Sequence, residues 1–201
     1  MNNLSRRFFV TGTVAATALT GLLPGAAVAL SAAEARGLVD RVVADINKVI
    51  ASGKSQNAMI ADFENIFRRY ADVNTIARST LGADARRASR SQLNAYTSAF
   101  RGYISRKYGK RFREFIGGRI DVDGVREVKW WHEVITTANL KGQSPFEVLF
   151  LVSDKSGKNL FFDMKIEGIS LLVSERTEIG AMLDRRRGDI DMLIADLKTA
   201  G

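Results

Sequence analysis

The spacing of apolar residues divides the chain into a helical first half, a strand-rich centre and a helical end. From residue 31 to about residue 116, apolar positions recur every three or four residues, as on amphipathic helices. From Arg119 the interval falls to two, which is typical of strands. After Gly168 a strand-like run, residues 169–173, is expected to give way at Ser174 to a helix, and Gly188-Asp189 separates that helix from a last one.

Local start signals support the helices of the first half. Ser31 stands three residues before Glu34, and Ser89 stands three residues before Gln92. In this capping box the two side chains satisfy free amides at a helix N-terminus. Asp72 can cap a short helix between the two. The apolar stripes of these helices are expected to form the core before anything else; they include Leu38, Val39, Val42, Val43, Ile46, Met59, Ile60, Phe63, Ile66, Phe67, Leu93, Tyr96, Phe100, Tyr103 and Ile104.

A predicted β-hairpin forms the centre of the strand-rich region. Residues 146–152 and 160–166 are rich in aromatic and β-branched residues, and Gly157 lies in the loop between them. Two earlier runs, residues 120–128 and 134–138, complete a predicted four-stranded antiparallel meander. Residues 146–152 carry apolar side chains on both faces, which a sheet with one solvated face does not explain. Both faces of the sheet must therefore be covered, either by protein alone or by protein and a ligand.

Helices, an antiparallel sheet and further helices indicate an α+β fold in which helices lie against one face of the sheet. Residues 30–201 are enough for one domain with a substantial core. The chain contains no cysteine and a single histidine, His132. Disulfides, thiol chemistry and iron–sulfur clusters are therefore excluded, as is a histidine-rich zinc site. We expect neither a metal nor a cofactor.

The first 29 residues have the parts of an export signal. The pair Arg6-Arg7 precedes an uncharged stretch, residues 10–30, and Ala27-Val28-Ala29 fits a peptidase site. The paired arginines resemble the twin-arginine signal, although ordinary Sec signals contain such pairs too. We expect cleavage after Ala29 and a mature periplasmic domain, with an uncleaved membrane anchor as the alternative. Loss of the two arginines lowers the net charge from +8 to +6.

Basic residues cluster in three places, residues 86–90, 101–113 and 185–187. Because acidic residues are interspersed, a solvated helix face is the favoured interpretation. The alternative is attraction to an anionic membrane surface or to an acidic docking face on a partner. Nucleic-acid binding is not expected, because export removes the partner and no recognisable reading motif is present.

A series of short motifs, in order along residues 70–197, resembles the MlaC family, the periplasmic phospholipid-binding or toluene-tolerance proteins. The order and spacing carry the resemblance, since each motif alone is weak. The sequence departs from the pattern at Asn159-Leu160, where many members have a tryptophan. The motifs are Tyr70-Ala71-Asp72-Val73-Asn74-Thr75-Ile76-Ala77-Arg78 with Leu81-Gly82; Gln92, Tyr96, Ala99-Phe100, Tyr103, Tyr108 and Phe112; Asp163-Met164 with Glu167-Gly168-Ile169-Ser170; and residues 180–183, 188–189 and 193–197.

The resemblance implies a helical cradle on a twisted four-stranded antiparallel sheet, an NTF2-like (nuclear transport factor 2) cone with extra helices. Phospholipid acyl chains would lie between the helices and the sheet. It also implies a carrier that shuttles phospholipid between an outer-membrane lipoprotein complex and an inner-membrane ABC transporter with a mammalian-cell-entry-type periplasmic ring. Such a carrier would maintain outer-membrane lipid asymmetry. It would be a monomer and would not be an enzyme.

A lipid carrier needs a dry cavity, because each acyl CH₂ kept from water is worth about 0.8 kcal/mol. The apolar surplus of the sheet and the aromatic stripe of the long helix are the candidates for its lining. Every candidate fits an ordinary core position equally well. Head-group selectivity is expected to be low, since contact with the tails is non-directional. The candidate lipid-binding residues are Tyr96, Phe100, Tyr103, Val134, Thr136, Val148, Phe150, Phe162 and Met164.

Two other functions remain open on the sequence alone. A binding protein for small apolar solutes would use the same kind of pocket, and the cavity volume would distinguish it from a lipid carrier. A small cone-fold enzyme would use His132 with Asp163 or Glu133 as acid and base. Neither triad spacing nor a Gly-x-Ser-x-Gly turn supports that chemistry.

Overall fold

The computed structural model describes residues 29–201. The α+β class is confirmed, with helices before and after one antiparallel sheet. The expected export signal lies outside the described residues apart from its last residue, Ala29. The elements are α1 (Ala32–Ile50), α2 (Gln56–Tyr70), α3 (Val73–Leu81), a 3-10 helix (Gly82–Arg86), α4 (Arg90–Gly109), a second 3-10 helix (Lys110–Arg113), β1 (Arg119–Val128), β2 (Trp131–Asn139), β3 (Phe146–Ser153), β4 (Leu160–Ile166), β5 (Ile169–Ser170), α5 (Leu171–Arg185) and α6 (Ile190–Thr199).

The predicted caps start the helices of the first half. Ser31 and Glu34 form a capping box at α1, with the Ser31 amide 2.9 Å from the Glu34 carboxylate. Ser89 and Gln92 form another at α4. The Asp72 carboxylate accepts the Thr75 amide at 3.1 Å and caps α3. Each signal lies within four residues of chain, which is why the sequence alone locates these starts.

The sheet has five strands in sequential order, all antiparallel, rather than the four expected. Glu167 and Gly168 both have positive φ, 49° and 80°, and form a tight turn that brings β5 back onto β4. The expected start of the following helix at Ser174 is also wrong. The Ser170 side chain accepts the Val173 amide, so the helix begins at Leu171 despite the strand-like composition of residues 169–173. The expected four-stranded NTF2-like cone is therefore only an approximate description of the fold.

One face of the sheet packs against the helices and the other carries an ion-pair network. The helix-facing side contributes Val134, Val148, Phe150 and Phe161 to the main core. On the opposite side, Glu133 of β2 forms ion pairs with Arg126 on the neighbouring strand β1 and with Lys165 on β4, across β3. Leu149 and Leu151 are buried on that side too. Both faces therefore cover apolar side chains, as the composition of β3 indicated.

Side chains of α1 complete the exposed edge of the sheet. The Asn47 amide donates to the Ile120 carbonyl at 2.9 Å and its oxygen accepts the Ile120 amide at 3.0 Å. Arg36 donates to the Val122 carbonyl at 3.1 Å. These bonds replace the missing neighbouring strand of β1. They also hold α1 over the helix-facing side of the sheet.

The junction between α2 and α3 is attached to strand β4, near the edge of the sheet opposite β1. The Asp72 amide donates to the Phe161 carbonyl at 2.8 Å, and Ala71 forms a parallel bridge with Phe161. Helices α1 and α2 are thus anchored near opposite edges, on β1 and β4. Across residues 29–201, none of the helices combines the length and hydropathy needed to cross a membrane.

Candidate functional site

A cavity of about 510 Å³ lies between the helices and the sheet. This volume is within the range of roughly 300–1,000 Å³ that ligand-binding pockets occupy. Helices α1 to α5, the second 3-10 helix and strands β1, β3 and β4 all contribute to its wall. The apolar and aromatic lining residues are Val42, Ile46, Phe63, Ile66, Phe67, Ile76, Phe100, Ile104, Tyr108, Phe112, Phe115, Ile120, Leu140, Phe146, Val148, Phe150, Phe161, Phe162, Met164, Ile166, Leu171 and Leu172.

Aromatic rings line one side of the cavity from helix to sheet. Phe63 of α2 contacts Phe112 with ring centroids 5.3 Å apart and Phe67 at 6.1 Å. Phe67 in turn contacts Phe161 of β4 at 6.4 Å, and Phe161 meets Phe150 of β3 edge-on at 5.6 Å. Rings at these distances pack favourably against one another. They give the cavity a wall that is continuous across α2, β4 and β3.

Five of the nine candidate residues border this cavity: Phe100, Val148, Phe150, Phe162 and Met164. Phe100 is fully buried on α4, and Val148 and Phe150 project from β3. Met164 pairs with Phe150 across the β3–β4 ladder. The structure therefore brings these residues together around one space, and contact with a ligand remains a prediction for each of them.

The other four candidates, Tyr96, Tyr103, Val134 and Thr136, lie outside the cavity lining. The Tyr96 hydroxyl is 2.9 Å from Thr80 Oγ1, and the Tyr103 hydroxyl donates to Glu178 at 2.7 Å. Thr136 and Val134 are fully buried in β2. Their positions are those of ordinary core residues, the alternative that the sequence left open.

A β-bulge explains the unexpected position of Phe162. Leu151 pairs with Asp163 and Val152 pairs with Phe161, so Phe162 is an extra residue without a partner on β3. Its ring stacks on Trp130 at 5.3 Å and meets Trp131 edge-on at 6.4 Å, so it packs with these two tryptophans. Strict alternation along β4 would place Phe162 on the same face as Met164. The bulge shifts the alternation, and Phe161 takes that place.

The contributions of α1, α2, α3 and α5 to the cavity wall were not predicted from the sequence. Val42, Ile46, Phe63 and Ile66 had been assigned to core stripes, and Leu172 to the run before the last helices. Apolar spacing identifies the buried side of a helix but does not distinguish contact with protein from contact with a cavity. No signal in the sequence separates these residues from their core neighbours.

A polar cluster joins α4 to α5 beside the cavity. Lys107 Nζ lies 2.7 Å from Glu175 Oε1 and also contacts Glu178. The Tyr108 hydroxyl donates to Glu175, and the Tyr103 hydroxyl donates to Glu178. Burial raises the pKa of both tyrosines, and the carboxylates that they contact raise it further. Both phenols therefore stay protonated donors and help to hold α5 over the cavity.

The cluster contains one ammonium, that of Lys107, between two carboxylates. Burial lowers the pKa of Lys107, but its bonds to Glu175 and Glu178 outweigh that effect and leave the pKa raised. The Lys107 ammonium in turn lowers the pKa of Glu178. Lys107, Tyr108 and Glu175 all border the cavity. This part of the polar wall is therefore a network of ion pairs and hydrogen bonds between α4 and α5.

Asp163 fastens the start of α5 to β4. Its Oδ1 accepts the Met164 amide at 2.8 Å and the Leu172 amide at 2.9 Å, while Oδ2 accepts the Ser170 hydroxyl at 2.6 Å. Ser170 also caps α5. A carboxylate at a helix N-terminus is favoured by the helix dipole as well as by these bonds. The contacts place Leu171 and Leu172 in the cavity wall.

The three residues considered for acid–base chemistry do not meet at the cavity. His132 is buried opposite Val152, and its Nδ1 has no hydrogen-bond partner among residues 29–201. Glu133 lies on the opposite face of the sheet in its ion pairs. Asp163 alone borders the cavity, and its oxygens are occupied by structural hydrogen bonds. Within the described residues, no group of His, Asp and Glu is arranged to hold a metal ion.

The fold and the cavity define a class of protein: an α+β domain whose helices enclose a largely apolar, ligand-sized cavity against one face of an antiparallel sheet. The model of the family described as MlaC protein matches residues 36–199. This is most of the chain, so the protein belongs to the MlaC family.

Solved structures support the same fold. Seven solved chains match significantly, among them the phospholipid-binding protein from Ralstonia solanacearum, whose structure contains a bound phospholipid. It shares 16% identity and a TM-score of 0.70, and the alignment covers 81% of this chain and 94% of that chain. At this identity the similarity shows the fold alone. Comparison with curated proteins gave no significant match.

Proposed function

We propose that this protein binds phospholipid, with the acyl chains in the cavity between the helices and the sheet. The observation that carries the proposal is the cavity itself, about 510 Å³ and lined mostly by apolar and aromatic side chains. The lining of an empty apolar space lacks packing contacts, which an apolar occupant would supply. Membership of the MlaC family and the phospholipid bound to the Ralstonia solanacearum relative support phospholipid as that occupant.

The proposed role is that of a carrier rather than an enzyme. The protein would be exported to the periplasm and cleaved after Ala29. It would move phospholipid between an outer-membrane lipoprotein complex and an inner-membrane ABC transporter with a mammalian-cell-entry-type ring, and so maintain outer-membrane lipid asymmetry. The proposed carrier is a monomer, since residues of one chain line the cavity. The energetic reason for a carrier is that the apolar tails of a lipid strongly disfavour transfer through water.

Native mass spectrometry of the purified protein tests the binding proposal directly. We expect about one phospholipid per chain, and lipid extraction should identify it. Val148→Trp and Met164→Trp, alone and together, add bulk inside the cavity and should reduce the lipid-bound fraction severalfold. Met192→Trp is the matched control, because Met192 is 46% exposed on α6 and should leave binding unchanged.

Two outcomes would overturn the proposal. One is a wild-type protein that carries no lipid and takes none up from vesicles. The other is equal lipid binding by the cavity variants and the Met192→Trp control while all remain folded. Recovery of only small aromatic molecules from the cavity would favour a carrier of small apolar solutes instead.

A further inference from the structure

The main-chain nitrogen of Leu30 lies 3.1 Å from the Asp154 carboxylate, across 124 residues of sequence. Leu30 immediately precedes Ser31, the N-cap of α1, and its side chain packs against the main core. Asp154 begins the turn between β3 and β4, where its carbonyl accepts the Gly157 amide at 2.8 Å. Both partners are therefore held by ordered structure, and the contact joins the start of the described chain to the central hairpin.

Among the residues that the structure describes, the Asp154 carboxylate has no basic side chain as an ion-pair partner. None of the ion pairs among residues 29–201 involves it. The neighbouring Lys155 instead places its ammonium 4.0 Å from the centre of the Trp130 ring. A partly buried carboxylate that accepts a single neutral amide is incompletely compensated. It would gain most from a positive charge at the position of the Leu30 nitrogen.

We propose that Asp154 is the receptor for the α-ammonium group that export processing creates at Leu30. A signal peptidase would add water across the Ala29–Leu30 peptide bond, leaving a carboxylate on Ala29 and an amine on Leu30. The free α-amino group has a pKa of about 7.7–8.0, so it is mostly protonated at neutral pH. The neutral amide bond to Asp154 then becomes a charge-assisted one, which is shorter and roughly twice as strong.

Only one cleavage position would place the new ammonium on the nitrogen that contacts Asp154. The residues before Leu30 offer more than one small-residue site, since Gly25, Ala27 and Ala29 are all small. Cleavage after Ala27 would place the new charge on Val28, two residues away from Leu30. Cleavage after Ala29 places it on the nitrogen that already contacts the carboxylate. The inference rests on the proposed export but is independent of lipid binding.

A double-mutant cycle on the mature protein measures the interaction. One chain begins at Leu30, released from a fusion by a protease that leaves no extra residue, and a second chain begins at Gly25. Asp154→Asn keeps an acceptor oxygen but removes the charge, so we expect it to lower the Tm of the Leu30 chain by about 2–4 °C. In the longer chain, whose Leu30 nitrogen is an uncharged amide, the same substitution should lower the Tm by much less.

Asp184→Asn is the matched control, since Asp184 is exposed on α5 and should change both chains equally. Equal losses of Tm for Asp154→Asn in the two chains would overturn the proposal. So would an exported protein whose intact mass places its first residue anywhere but Leu30. Lipid occupancy, followed in parallel by native mass spectrometry, should be the same for Asp154→Asn and wild type. Absence of lipid from both wild type and Asp154→Asn would contradict the proposed lipid binding but would not bear on the contact between Leu30 and Asp154.

Discussion

At the scale of single residues, burial alone does not separate the cavity wall from the core. Tyr96 and Phe100 lie one helical turn apart on α4 and both are fully buried, with ring centroids 5.8 Å apart. Only Phe100 borders the cavity. Thr80 Oγ1 donates to the Ala77 carbonyl at 2.8 Å, so the Tyr96 hydroxyl is the donor in its 2.9 Å bond to Thr80. Its polar end is satisfied inside the protein.

Tyr96→Phe should therefore change stability and leave lipid binding intact. Loss of the buried hydrogen bond is expected to cost about 1 kcal/mol, which lowers the Tm by about 2–4 °C for a domain of this size. Thermal unfolding measures the loss, and native mass spectrometry measures the lipid. A severalfold fall in lipid occupancy, with the fold retained, would place Tyr96 in the binding site after all.

Glu133 gives a prediction about pH. Its side chain is 5% exposed; burial opposes ionisation, but the bonds from Arg126 and Lys165 outweigh burial and lower its pKa below the ordinary 4.5. A carboxylate with a lowered pKa stabilises the fold above its unfolded-state pKa, and the contribution is lost as the pH falls through the folded-state value. Glu133→Gln should thus destabilise the protein at pH 7, and the difference from wild type should shrink below pH 4.5.

We expect the loss at pH 7 to be roughly 1–2 kcal/mol, because the substituted glutamine would retain an acceptor oxygen and the largely exposed Arg126 can return to water. Urea unfolding between about pH 3 and pH 8 would measure it. Glu147→Gln, an exposed change on the same face of the sheet, is the control and should have little effect. A difference that stayed constant across this pH range would contradict the assignment of the effect to ionised Glu133.

At the scale of elements, the crossing of α2 and α4 sets the width of the cavity. Gly109, the last residue of α4, lies so close to Ile60 that a Cβ on Gly109 would be 2.9 Å from the Ile60 Cα. Both helices contribute cavity residues, Phe63 and Ile66 from α2 and Phe100 and Ile104 from α4. Added bulk at the crossing would push these two walls apart.

Gly109→Ala is expected to destabilise the protein by about 1–3 kcal/mol. The gain in helix propensity, about 1 kcal/mol, does not offset a contact with backbone atoms that cannot move independently. Gly180→Ala in α5 is the matched control, because a Cβ there meets nothing within 4 Å and should stabilise the helix slightly. Urea unfolding compares the two. Equal stabilisation by both substitutions would mean that the crossing is loose.

Prediction of elements from the sequence succeeded where the signal was local. The helix starts at Ser31, Asp72 and Ser89 each depend on a side chain and an amide within three residues. The two-residue strand β5 arises from a tight turn at Glu167 and Gly168, and the β4 bulge arises from the register of β4 on β3. Neither feature has a signal in the spacing of apolar residues. The bulge changes the direction of Phe162 relative to strict alternation. Whether residues of α1 and α2 contact the cavity or protein depends on the distance between the helices and the sheet. The spacing of apolar residues along the sequence does not encode that distance.

At the scale of the whole molecule, several basic residues have structural partners. Arg186 forms two bonds of 2.7 Å with Asp196, and Arg101 pairs with Glu64 at 2.9 Å. Arg106 donates to the Leu197 and Ala200 carbonyls at the end of α6, as cations at helix C-termini commonly do. Part of the positive charge therefore fastens helices to one another, which fits the solvated-face interpretation of the basic clusters better than a surface reserved for an anionic partner.

A cavity that spans the layers of the domain should make global stability depend on its content. A ligand that binds only the folded state stabilises it by about 2.7 kcal/mol when its free concentration is 100 times Kd. For a domain of this size, removal of the bound lipid should lower the Tm by about 5–10 °C. The lipid can be removed by reversible unfolding of the protein on a column. Calorimetry with and without added phospholipid vesicles then measures the difference in Tm.

The Trp variants of the cavity turn this measurement into a test of location. The double variant Val148→Trp with Met164→Trp fills the space with protein atoms, so its Tm should respond much less to removal and return of lipid. Met192→Trp should respond as the wild type does. Lipid-dependent stability that is equal in all three proteins would mean that phospholipid binds elsewhere on the molecule, because only a ligand in the cavity competes with the introduced rings for the same volume.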